Sequence, residues 1–337
     1  MKKNEIKWLS ELQGFSMLTV VIGHVYDKSE WYGGGYESIL QSFIYSFHMP
    51  LFMFISGFLY NFTKISRNKK MIDIVKEKSV RLLIPYFSFN IITYILKLML
   101  PTLMQRQVEL DVNQFIDTFV TLKNLPLYEM WFINALFGIM LLYPLYRGVI
   151  HSKILICIFS FFACFLYFLP LNFSFIFSFG KISDYLIYFW GGIVIYEYKD
   201  FFLSIYNKQK SLIVILLTFI FVIAQYFHFL FRFDIKLVNL IVAFISISFF
   251  IMVFYLVSKK YERLFFTFRD YTYQIFLLGI FFQVGVRVII FHYLNRNVLS
   301  TLFLYLLSIA CGIYIPVLIS KILLRTNLKP MKILIGL

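Results

Sequence analysis

The 337-residue chain predicts an all-α integral membrane protein of about ten transmembrane helices, with both termini cytoplasmic. Three observations carry that expectation. First, 61% of the residues are hydrophobic and 21% aromatic, with a mean hydropathy of +0.79, whereas soluble domains are about 45 to 50% apolar. Second, the charged residues, 15% of the chain, gather in short runs between apolar stretches of about 20 residues, the length that crosses a hydrocarbon core as a helix. Third, Lys and Arg are unevenly divided between alternate connections. With both termini inside, 22 of the 32 lie on the cytoplasmic side, 7 outside, and Lys97, Arg287 and Lys321 within spans, as the retention of basic loops requires.

The stretches run over residues 8–26, 38–61, 82–100, 127–146, 153–170, 182–198, 211–230, 237–257, 271–292 and 298–324. The first follows "MKKNEIK", but no small-x-small cleavage site comes after it, so it reads as a retained span. The second is an apolar run interrupted by His48 and Pro50. Between it and the third lies "TKISRNKKMIDIVKEKSVR", whose seven basic residues place residues 63–81 in the cytoplasm. The fourth opens on "LYEMWF", and the ninth carries Gln283 and Arg287. The connections at 62–81 and 101–126 are too short to bury a core of their own, which predicts one membrane domain over 1–337 and no soluble domain. No internal repeat is evident, which disfavours transporters built from two related halves. The formal charge of +15 follows from topology and contact with anionic headgroups, and argues against a nucleic-acid partner. Cys157, Cys164 and Cys311 stand singly inside spans, without metal-ligand spacing. In the external segment "DKSEWYGGGYE", residues 27–37, aromatic rings flank three glycines. Anchoring at the headgroup level or stacking on a sugar would each use them.

Ionisable groups inside a membrane are costly and usually face the bundle interior. His24 lies near the outer end of the first span. Gln13 is eleven residues earlier, and eleven steps of 100° return to within about 20° of the same face, a stripe about 16 Å long. In the second span Gln41, Tyr45 and His48 share a face, and Pro50 predicts a kink beside His48. Glu129 and Trp131 begin the fourth span on the outer side. Gln283 and Arg287 bring an amide and a guanidinium toward that side on one face of the ninth. On the opposite surface, "KEKSVRLLIPY" sets Lys76, Lys78 and Arg81 where a cytosolic anion would meet them. Interhelical hydrogen bonding would also account for either histidine, and a structural ion pair for Glu129 and Arg287.

Several of these segments resemble the membrane-bound acyltransferase 3 family, whose members O-acylate polysaccharides, lipid-linked sugars and related exported molecules. "LQGFSMLTVVIGHV" looks like the family's opening pattern and aligns His24 with its catalytic histidine. "FHMPLFMFISGFLY" is similar to its second-span signature and is the most specific piece. "KEKSVRLLIPY", "YEMWFINALFGIMLLYPL" and "YTYQIFLLGIFF" resemble its third-span approach, Trp-Phe-Leu span and late segment. Departures are Gln13 in place of an arginine, and Glu129 and Gly279 at positions often held by histidine.

The resemblance implies an acyl-CoA-dependent O-acyltransferase. A sugar hydroxyl is a poor nucleophile at neutral pH, and a positioned imidazole typically contributes about 10² to 10⁴ in rate by taking its proton. His24 is the candidate base, with His48 and Glu129 completing the catalytic set. Arg81, Lys78, Lys76 and Gln13 are the candidate contacts for the donor, acetyl-CoA or another acyl-CoA used as a substrate rather than held permanently. Trp131, Tyr45, Arg287 and Gln283 are the candidate contacts for a glycan or lipid-linked sugar acceptor. No metal is expected. A bacterial cytoplasmic membrane is the expected location, and a homo-oligomer is compatible with it. A thioester reaching from the cytosol to His24 would thread its pantetheine arm into the bundle. The competing classes are a polysaccharide polymerase or flippase and a proton-coupled transporter.

Overall fold

Long apolar runs rich in Leu, Ile and Phe, with glycine and proline sparse within them, fold as helices whose backbone polar groups are satisfied internally. The computed structural model describes residues 7–25, 36–99, 111, 113, 115, 125–169, 178–231, 235–257, 264–291 and 298–337, and every element in them is helical. In chain order these are α1 (Lys7–Gly23), α2 (Tyr36–Tyr45), α3 (His48–Tyr60), a π turn (Asn61–Ile65), α4 (Met71–Lys78), a second π turn (Ser79–Leu83) and α5 (Ile84–Met99). A 3₁₀ turn (Tyr128–Met130) then leads into α6 (Trp131–Met140), α7 (Tyr143–Val149), α8 (Lys153–Phe168) and α9 (Phe179–Glu197). The remainder is α10 (Lys199–Lys208), α11 (Lys210–Phe231), α12 (Lys236–Val257), a 3₁₀ turn (Arg269–Tyr271), α13 (Thr272–Phe291), α14 (Val298–Arg325) and α15 (Lys329–Leu334). Residues 27–35 of the glycine-containing external segment lie outside the described residues.

Among the described residues, five helical segments are long and apolar enough to cross a membrane: Ile39–Ile65, Met71–Met99, Lys210–Leu230, Lys236–Val257 and Leu299–Arg325. Tyr128–Met140 and Tyr143–Val149, bent by 50°, make a sixth if counted together. These six coincide with six of the ten expected stretches. The other four also contain helices, α1, α8, α9 and α13. α8 is apolar but short, and Lys7 and Glu11 stand within α1. The chain is thus a multi-pass membrane protein.

The chain divides into two compact units, Met1–Ile55 with Tyr198–Thr326, and Ser56–Glu197 with Asn327–Leu337. In the first, α1 packs against α12, α13 and α14. Its core joins Met17, Val20 and Val21 of α1 to Phe268, Ile275, Ile313 and Val317. α13 and α14 form the most extensive helix pair. Their close approach depends on glycine, because a Cβ on Gly279 would come within 2.8 Å of the Gly312 carbonyl oxygen. A histidine has no room there, which accounts physically for Gly279.

In the second unit α9 packs on α8 and α6, and the Ser79–Leu83 turn on α6. Here a Cβ on Gly57 would fall 1.9 Å from the Phe189 carbonyl oxygen, so α3 and α9 touch backbone to backbone. α8 starts where Ser152 caps it, its hydroxyl accepting from the Leu155 N–H at 3.4 Å.

Candidate active site

The expected kink in the second span is a break. α2 ends at Tyr45, residues 46–47 form a turn, and α3 begins at His48. Pro50 therefore lies in the first turn of a new helix, where no intrahelical N–H is required, rather than bending a continuous one. The break shapes the surroundings of His48. Its Nδ1 lies 2.9 Å from the Ile44 carbonyl oxygen, and the residue is only 3% exposed. A carbonyl can only accept, so Nδ1 carries the hydrogen and the neutral ring presents its lone pair at Nε2.

The Tyr45 ring meets both imidazoles edge-on, with centroids 4.8 Å from His48 and 6.4 Å from His24. The break and the end of α1 thus gather His24, Tyr45 and His48 in the first unit. His24 follows the last residue of α1, where helix carbonyls lack intrahelical partners. Three long side chains supply donors there. Gln283 Nε2 donates to the Val21 oxygen at 2.9 Å, Arg287 Nη1 to the Val25 oxygen at 3.0 Å, and the Tyr45 hydroxyl to the Gly23 oxygen at 3.4 Å. Gln283 and Arg287, expected on sequence grounds to contact the acceptor, spend these donors on the backbone that carries His24. Gln13 sits toward the opposite end of α1 and donates to Thr272 Oγ1 at 3.2 Å.

Close to Gln13 in sequence is a feature the sequence reading missed. Glu11 is fully buried and pairs with Arg269 at 3.5 Å. The signal was an acidic residue inside an apolar span, which demands a cation, although nothing local identifies one 258 positions away. A second missed network joins Ser46, Gln225 and Ser246. Gln225 Nε2, on α11, donates to their hydroxyls at 3.1 and 2.9 Å.

The other candidates belong to the second unit. Lys78 lies 3.9 Å from Glu77, which also accepts from the buried Lys64. Arg81 is exposed on the Ser79–Leu83 turn and Lys76 is exposed on α4. Together they form a cationic surface around one carboxylate. Glu129 is partly buried in the 3₁₀ turn before α6. Trp131 packs against Tyr185 in a tilted arrangement with centroids 5.1 Å apart and carries the Lys181 ammonium 4.9 Å from its ring centroid, a cation–π contact. Its ring is therefore already engaged. Glu129 and Arg287, an expected ion pair under one reading, fall in different units.

A family model described as an acyltransferase domain matches residues 6–321, across both units. The chain belongs to the acyltransferase 3 family. No curated protein and no solved structure gives a significant match. Membership makes the protein a membrane acyltransferase.

Proposed function

We propose that the protein transfers an acyl group, acetyl by preference, from acyl-CoA to a hydroxyl of an exported or lipid-linked glycan in a bacterial cytoplasmic membrane. The observation that carries this reading is the pair of imidazoles about one tyrosine ring, in a chain whose family is acyl transfer. The topology that goes with it has about ten spans and both termini in the cytoplasm, so the basic stretch 63–81 meets the cytosolic donor pool.

His24 takes the proton of the acceptor hydroxyl as its oxygen attacks the thioester carbonyl. The new carbon–oxygen bond forms, the carbon–sulfur bond breaks, and the proton passes from the imidazolium to the departing CoA thiolate, so the base is restored. His48, with Nδ1 committed to Ile44, offers Nε2 as an acceptor for a second hydroxyl of the sugar and so orients the one that reacts. Gln283, Arg287 and Tyr45 hold the last turn of α1 and with it the position of His24. Arg81, Lys78 and Lys76 recruit the polyanionic donor.

The test is a His24→Ala strain in which membrane insertion is verified by immunoblot and the host glycan is examined by NMR for O-acyl signals. Loss of those signals is expected. Full O-acylation with the variant inserted overturns the assignment.

A further inference from the structure

The second unit contains a polar cleft of about 410 Å³, lined by none of the residues assigned above to acyl transfer. Asn61, Ser66 and Asn68 line one side, Arg147 and His151 another, and Glu197 closes the end of α9. It is built on the π turn Asn61–Ile65, where the Ser66 N–H bonds the Asn61 oxygen at 2.9 Å and the Lys69 N–H the Lys64 oxygen at 3.1 Å, each spanning five residues. Such π insertions concentrate at functional sites.

Two of the lining side chains are anchored. The fully buried Asn61 donates to the Ile193 oxygen at 3.0 Å and accepts from Ser66 Oγ at 3.0 Å. Asn68 adopts a positive φ of 50°, a conformation asparagine tolerates better than most residues, and its backbone N–H bonds the Ile65 oxygen. Arg147 and His151, by contrast, are uncommitted. Among the described residues no side-chain hydrogen bond or ion pair engages Arg147 or His151. Arg147 lies in the last turn of α7 and His151 just beyond it, and both line the cleft. A guanidinium, an imidazole and a carboxamide opening on one cleft, next to a stretch with seven basic residues, make a donor set for a phosphate group. Glu197 has one oxygen 3.5 Å from Asn61 Nδ2, which leaves the other for a hydroxyl or ammonium of the same ligand.

We infer that this cleft binds a phosphate ester bearing a neighbouring hydroxyl or ammonium, supplied either by a phospholipid headgroup or by a soluble nucleotide. Arg147 and His151 hold the phosphate and Glu197 the neighbouring donor. The site is separate from His24, so it stands whether or not His24 is the catalytic base.

The experiment uses the full chain, with the soluble arm in detergent and the lipid arm in nanodiscs. One arm titrates adenosine 3′,5′-bisphosphate by microscale thermophoresis. The other counts lipids retained in native mass spectra after reconstitution with phosphatidylglycerol or with phosphatidylcholine. Arg147→Gln and His151→Gln are compared with Lys153→Gln, which removes an exposed cation outside the cleft. Loss of a charge-assisted contact is expected to weaken binding about tenfold to hundredfold in the first two and leave the third unchanged. His24→Ala is expected to bind normally. A cleft-dependent loss in the nucleotide arm identifies a soluble ligand, and one confined to retained phosphatidylglycerol identifies a headgroup. If Arg147→Gln and His151→Gln match the wild type in both arms, the inference is overturned.

Discussion

Replacing Gly57 by alanine tests the close backbone contact between α3 and α9. The added Cβ would lie 1.9 Å from the Phe189 carbonyl oxygen, and relief by rotamer change is impossible because both partners are backbone. α3 and α9 must therefore part by about 1.5 Å to restore an ordinary contact. Asn61 lies four residues further along, and its 3.0 Å bond to the Ile193 oxygen does not survive a separation of that size. Overpacking costs about 1 to 3 kcal/mol, and stranding a buried carboxamide and carbonyl adds about 1 to 3 kcal/mol. A combined loss of about 2 to 6 kcal/mol should lower the detergent-solubilised melting temperature by about 3 to 8 °C. The measurement is loss of the monodisperse peak after heating, followed by fluorescence-detected size exclusion. An Asn61→Ala variant isolates the hydrogen-bond part and should fall by less. A Gly57→Ala protein that melts within a degree of the wild type would refute the proposed contact.

Arg269→Ala removes the guanidinium paired with the Glu11 carboxylate, leaving Lys7 as the remaining nearby cation, and should destabilise by about 1 to 3 kcal/mol. The same thermal assay should show Glu11→Gln affected less. Gly312→Ala places a Cβ 2.6 Å from Gln283 Cγ and should displace that side chain from the Val21 oxygen. Turnover is then expected to fall severalfold with little change in the KM for acyl-CoA, and Gln283→Ala should reproduce the pattern. Equal losses in binding and turnover would contradict a positioning role. His48→Ala should reduce initial rates of label transfer by about tenfold to a hundredfold, whereas His48→Gln, which keeps a donor for the Ile44 oxygen, should recover part of the rate. Equivalent rates for the two substitutions would show that the hydrogen bond to Ile44 is irrelevant.

Periodicity located the helices well, and the offset of three linking Tyr45 to His48 is enough to place both on one side of the second span. What that span does at Ser46 and Phe47 was less legible. A proline at the third position of a helix and one in the middle of a helix read alike until the preceding break is seen. The polar groups of the ninth span were recognisable as interior, because lipid would not accept them. Their partners were not, since the receiving atoms on Val21 and Val25 are backbone carbonyls, present at every residue and silent in any pattern of side chains. The Asn61 cleft was invisible for a related reason. It depends on hydrogen bonds that skip one residue more than an α-helix allows, and Asn, Ser, Arg and His at scattered positions carry no spacing signal for that.

The π turn at Asn61–Ile65 has a consequence for how this region tolerates change in chain length. Residues five positions apart stand about 140° from one another around a regular α-helix, yet Asn61 and Ser66 bond to each other through both main chain and side chain. One surplus residue wound into the helix brings them into register. Excising a single amino acid between them would let the coil tighten into ordinary α geometry, turning everything downstream by about a quarter revolution and carrying the basic stretch away from Tyr143, whose hydroxyl now holds the Lys69 carbonyl at 2.6 Å. A deletion there should be far more damaging than most substitutions at the same positions.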